Sequence, residues 1–171
     1  MTLLDDKSAG ARPTSVAETT STEGATRNPN VEKLEECFRR ELSAVETYEL
    51  AMKGVTHVGI HHTLQEILAS HLRRTGQLRV AIGALGGDAP SSSGVWGAFA
   101  RAVQSGANLL GDRAAISSLV DGEDRELAVY TGDLGECSAE TRRIVEREML
   151  PQQRHTHELA HSLKKYVSAP S

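Results

Sequence analysis

Apolar residues recur at steps of three and four along four stretches of the chain. From 31 to about 52 the stripe is Leu34, Phe38, Val45, Tyr48 and Met52, with Glu41 in the same register. Asn28-Pro29-Asn30 supplies a helix start, and Gly54 followed by the β-branched Val55 and Thr56 supplies a stop. From about 60 to 85 the stripe is Ile60, Leu64, Ile67, His71, Leu78, Ile82 and Leu85, ended by Gly86-Gly87-Asp88-Ala89-Pro90. A third helix is predicted over about 113–134, through Ile116, Leu119, Val120, Glu123, Leu127, Tyr130 and Leu134, with Gly122 interrupting it. A fourth is predicted over about 139–167, begun by Ser138, with Val145, Glu148, Gln152, His155, Leu159, Leu163 and Tyr166 facing inward. Pro151 falls inside that pattern and is expected to kink the helix and free a backbone carbonyl one turn earlier.

The connections set the topology. Only a few residues join the first two helices, which makes them an antiparallel hairpin. Residues 88 to about 112 form a long link in which Val95, Phe99 and Val103 keep helical spacing. That link is expected to hold a short extra helix and to carry the chain along the bundle, so that the third helix runs parallel to the second. The pattern therefore predicts an all-α, antiparallel four-helix bundle over 31–167 with a long crossover between its second and third helices. Residues 1–30, rich in Thr, Ser, Ala, Gly and Glu and without an apolar period, are expected to be a disordered tail, and 168–171 a frayed end.

Composition narrows the setting. A chain of 171 residues, 39% hydrophobic and 25% charged, fits one globular domain, and 4% aromatic residues leave most of the core to Leu, Val, Ile and Ala. A net charge of -4 without a basic run argues against a nucleic-acid surface. No apolar stretch is long enough to span a bilayer and no signal-peptide core is visible, so a cytoplasmic location without a membrane partner is expected. Cys37 and Cys137 read as free buried thiols.

Against this background four polar residues stand out. Glu41 precedes Tyr48 by seven residues and Glu123 precedes Tyr130 by seven, two helical turns in each case, so acid and phenol share a face. His71 and His155 follow the two acids by about 30 residues on further apolar stripes. Two helical hairpins that repeat these groups imply a pseudo-two-fold bundle with a site between its halves. Acids and imidazoles buried together are costly unless something compensates them, and a cation of iron, manganese or zinc suits such donors.

Glu41-Leu42-Ser43-Ala44-Val45-Glu46-Thr47-Tyr48, Leu85-Gly86-Gly87, Ser93-Gly94-Val95-Trp96-Gly97-Ala98-Phe99 and Leu150-Pro151-Gln152-Gln153-Arg154-His155 occur in an order and spacing that resembles the ferritin-like superfamily. More narrowly, the chain resembles a bacterial four-helix family known as domain of unknown function 2383, over about 31–166. The resemblance implies a ferritin-like bundle but no activity. Ferritin-like di-iron sites take bridging carboxylates from Glu-x-x-His motifs, yet Leu68 and Gln152 stand three residues before His71 and His155. Glu41, His71, Glu123 and His155 would then form one mononuclear site, with Glu148 or Gln152 as a further oxygen donor.

The expected function is that of a ferritin-like protein with a reduced carboxylate/histidine metal site, in metal handling or the oxidative-stress response. The alternative is a metal-free interaction or structural module whose core is a Glu/His/Tyr hydrogen-bond network. A metal ion and, in a homo-oligomer, further copies of the chain are the expected partners. His57, His61 and His62 cluster near the start of the second helix, and His157 and His161 form an i, i+4 pair that lacks a third ligand in sequence. The Arg73–Arg74 and Arg142–Arg143 pairs read as solvated helix faces.

Overall fold

The computed structural model of the protein describes residues 28–94 and 97–169, with backbone alone for 97–110. The expectations for the first 27 residues, for Val95 and Trp96, for the side chains of 97–110 and for the last two residues lie outside the described part. Four long helices account for most of the rest, and no strand occurs among the described residues. They are α1 (Pro29–Gly54), α2 (Val58–Ala84), α3 (Gly97–Tyr130), and a fourth built from α4 (Ala139–Arg143), a π-helical segment (Ile144–Met149) and α5 (Leu150–Ser168).

Local chemistry sets the ends as the sequence suggests. The Asn28 side chain accepts from the Asn30 amide ahead of α1, and the Ser138 hydroxyl accepts from the Thr141 amide ahead of α4. The α2 stop works through Gly86, whose φ of +75° lets the Gly87 amide reach back to the Ile82 carbonyl at 3.0 Å. Gly111, at φ +73°, breaks α3 into a crossover portion and the bundle portion, so the extra helix runs into the third bundle helix through a kink.

Two apolar clusters fix the directions of the helices. At one end Tyr48 and Ala51 of α1, Ile60 and Leu64 of α2, Ile116 of α3 and Leu163 of α5 pack together. At the other, Leu34 and Phe38 of α1, Leu78 and Ile82 of α2, Tyr130 of α3 and Val145 before α5 do the same. Hence α1 and the fourth helix run one way, α2 and α3 the other, and the link between α2 and α3 travels the length of the bundle. Ser93 ties that link to α1 by donating to Glu46 at 2.9 Å. Cys37 and Cys137 are buried free thiols in the second cluster, and burial pushes the Cys37 thiol up to about 12.

The π-helical segment changes which face of the fourth helix is buried. Its wider turn, closed by the Leu150 amide on the Val145 carbonyl, takes in one extra residue directly ahead of Pro151, which has no amide to donate. Val145 points inward as expected, but from there the buried series is Met149, Gln153, Thr156, Ala160 and Leu163. The expected stripe through Glu148, Gln152, His155 and Leu159 is displaced by one position. Among the described residues no helix is long and apolar enough to cross a membrane.

Candidate metal centre

Between the two apolar clusters lies a buried polar layer to which every long helix contributes. α1 supplies Glu41 and Tyr48, α2 His71 and Arg74, α3 Glu123, Glu126 and Tyr130, and α5 Gln153 and Thr156, all buried. His71 sits at the centre. Its Nδ1 lies 2.8 Å from Glu41 Oε2 and its Nε2 lies 3.0 Å from Glu123 Oε1. Glu126 Oε2 approaches Nδ1 at 3.9 Å.

The two Glu-to-Tyr stretches interlock. Tyr48 donates to Glu123 Oε1 at 2.7 Å, and Tyr130 donates to Glu41 Oε1, so each tyrosine serves the acid of the other stretch. Seven-residue spacing puts each acid and phenol on one face, and the antiparallel packing of α1 against α3 crosses the pairs. Glu123 also accepts from Gln153 Nε2 at 2.7 Å and Thr156 Oγ at 3.0 Å on its other oxygen.

Arg74 is the main correction to the sequence reading. Instead of lying on a solvated face it is fully buried, and its Nε donates to Glu41 Oε1 at 2.6 Å, an Nη donates to Gln153 Oε1 at 2.7 Å and the other to Ser70 Oγ at 3.0 Å. Position 74 follows His71 by three and precedes Leu78 by four, which is the buried helical period. Glu126 was missed for a similar reason: it follows Glu123 by three and precedes Tyr130 by four on the α3 stripe. Neighbouring Leu127 masked the signal.

Three expected ligands do not reach the cluster. His155 is exposed and lies 3.3 Å from Glu66 across the α2–α5 surface. Glu148 takes an exposed ion pair with Arg143, and Gln152 donates to Gln77 on the bundle surface at 3.1 Å. The one-residue advance through the π segment turns all three away and brings Gln153 and Thr156 inward. Glu41, His71 and Glu123 do converge.

Charge and burial determine the protonation states. Burial opposes ionisation of Glu41, but Arg74 and His71 outweigh it and hold the carboxyl at about 2. Burial opposes the His71 imidazolium, yet Glu126, Glu123 and Glu41 raise it to about 10 against the opposing charge of Arg74. Glu123 is lowered, its desolvation outweighed by His71 and by the hydrogen bonds it accepts. Glu126 goes the other way: burial and then the neighbouring Glu41 raise it to about 8, against His71. Its Oε1 has no hydrogen-bond partner among the described residues.

A cavity of about 290 Å³ opens beside this carboxyl between α1 and α3, lined by Ser43, Thr47, Tyr48, Glu123 and Glu126 among others. Glu41, His71 and Glu126 offer donor atoms that all lie within 4.8 Å of one another, and this group could hold a metal ion. The donor set of two carboxylates and an imidazole fits a first-row divalent ion, and Glu126 has an oxygen to spare. The carboxylate of Glu123 on the far nitrogen of His71 is the arrangement that orients metal-bound imidazoles. No family model matches the chain, and no curated protein or solved structure matches it.

Proposed function

We propose that the protein is a ferritin-like metal-binding bundle that holds one first-row divalent ion through Glu41, His71 and Glu126 and serves in metal handling. The ferritin-like part rests on the helix directions, the long crossover and the acid-and-imidazole layer midway along the bundle. The metal part rests on one observation above the others: a buried Glu126 carboxyl with an unpartnered oxygen, beside an open cavity and within reach of His71 and Glu41. Glu123 orients the imidazole, while Tyr130 and Arg74 fix the remaining oxygen of Glu41. A bound iron or manganese ion would supply Lewis acidity and one-electron chemistry beside two buried tyrosines, which is the route to an oxidative-stress role.

Arg74 favours a second reading. Its guanidinium already balances Glu41, and one Nη lies 2.7 Å from His71 Nδ1, the nitrogen an ion would use. In that reading the layer is a metal-free ionic network and the bundle acts through its surface. Equilibrium dialysis against manganese(II), iron(II) under argon, and zinc(II) separates the two. In a chain carrying His157→Ala and His161→Ala, which leaves the core centre alone to be read, the metal reading expects tight binding of one ion that Glu126→Gln abolishes, whereas no binding, or binding indifferent to Glu126→Gln, would leave the network reading in place.

A further inference from the structure

The i, i+4 histidines of α5 acquire in three dimensions the third donor that the sequence lacks. His157 Nε2 lies 2.7 Å and His161 Nε2 2.9 Å from the same oxygen, Asp124 Oδ1 of α3. The two imidazole rings stand with centroids 4.3 Å apart at 44° to each other, so both Nε2 atoms face one point from one side. The three donor atoms fall within 4.8 Å of one another.

We propose that Asp124, His157 and His161 form a second metal site, a surface staple of zinc-like ions that joins α3 to α5. Two imidazoles and one carboxylate are a donor set that zinc takes at about 2.0–2.2 Å, with a fourth position left to water. The Asp124 side chain is about half exposed, at 51%, so it has room to draw back and admit an ion between itself and the two nitrogens. His157 and His161 are partly covered, which holds their rings in place.

The site lies one residue outside the buried layer on the same helix seam. Asp124 follows Glu123, and His157 follows Thr156, whose hydroxyl donates to Glu123. The π segment sets both: the register that turns Thr156 inward places His157 and His161 at the rim facing α3. An ion here therefore clamps the contact that holds Glu123 in position, without being a ligand exchange at His71.

The test uses the full chain carrying Glu126→Gln, so that failure here is separable from failure at the core centre. Zinc(II) is titrated by calorimetry, and cobalt(II) is added as a spectroscopic probe of coordination. The expected result is one zinc ion per chain, a cobalt visible spectrum of four- or five-coordinate type, and a melting temperature raised by zinc. His157→Ala with His161→Ala should weaken zinc at least 100-fold and remove the spectrum, while leaving the metal-free melting temperature within a few degrees. Asp124→Asn should weaken it by about 10-fold or more. Absence of zinc binding in the Glu126→Gln chain, or binding that survives the double histidine substitution, overturns the proposal.

Discussion

Arg74 Nε donates to Glu41 Oε1 at 2.6 Å, and both side chains are fully buried. Each is the other's main electrostatic partner, and neither can reach water. Removing one partner of such a pair leaves an uncompensated charge, a loss of about 3–5 kcal/mol. Arg74→Met should therefore lower the unfolding free energy by about that amount in urea titrations. Adding Glu41→Gln to Arg74→Met should recover part of the loss, because the stranded carboxylate is then gone. A single-variant loss below about 1 kcal/mol would contradict the buried placement of Arg74.

The layer also predicts an alkaline weakness in the metal-free protein. The His71 imidazole rises from an ordinary 6.5 to about 10 and the Glu126 carboxyl from 4.5 to about 8 on folding, so the folded state binds more protons than the unfolded chain. The stability these shifts contribute is complete below the unfolded values and fades as pH rises through about 8 and then about 10. Glu41 adds the opposite limb: lowered from 4.5 to about 2, it contributes above pH 4.5 and is lost as pH falls toward 2. Melting temperatures of metal-free protein should fall between pH 6 and 9, and Glu126→Gln should flatten part of that decline. A flat profile over that range would contradict the assignment of two extra folded-state protons.

Register along the fourth helix is testable by two substitutions two residues apart. His155→Ala removes an exposed side chain whose partner among the described residues is the equally exposed Glu66 and should change stability by no more than about 0.5 kcal/mol. Gln153→Leu removes the acceptor of Arg74 and a donor to Glu123 inside the layer and should cost about 1–3 kcal/mol. Reversed magnitudes would return the helix to the register without a π turn.

The contrast between those residues marks how far the sequence could be read. Helix number and directions follow from the three-and-four spacing and the α2 stop from Gly86-Gly87, whereas α3 ends at Tyr130 rather than near 134; Glu41, His71 and Glu123 stand out because they interrupt otherwise apolar stripes. An ideal helical period extended through Pro151 places His155, Glu148 and Gln152 inward. One extra residue in the π segment defeats that extension, and nothing in local propensity announces it. A charged residue beside another charged residue is ordinarily exposed, which hides Arg74 in the sequence although its spacing from His71 and Leu78 is that of the core. The acid and base partners of a buried layer come from separate helices, so their balance is visible only once the chain is packed.

The crossed tyrosines give a finer test. Tyr48→Phe removes one donor from Glu123, and Tyr130→Phe removes one from Glu41. Each should cost about 1.5–3 kcal/mol because the acceptor is ionised. The two losses should be coupled rather than additive, since Glu41 and Glu123 share His71. Strict additivity in a double-mutant cycle would show that the two halves of the layer are independent.

Anomalous diffraction from crystals of manganese-loaded protein carrying His157→Ala and His161→Ala reads the core centre alone, because the surface histidines are then removed. One anomalous peak per chain is expected in the polar layer, bounded by Glu41 Oε2, His71 Nδ1 and Glu126, with the Arg74 guanidinium shifted off the imidazole nitrogen. An empty layer at saturating manganese, with Arg74 still 2.7 Å from His71 Nδ1, would contradict it.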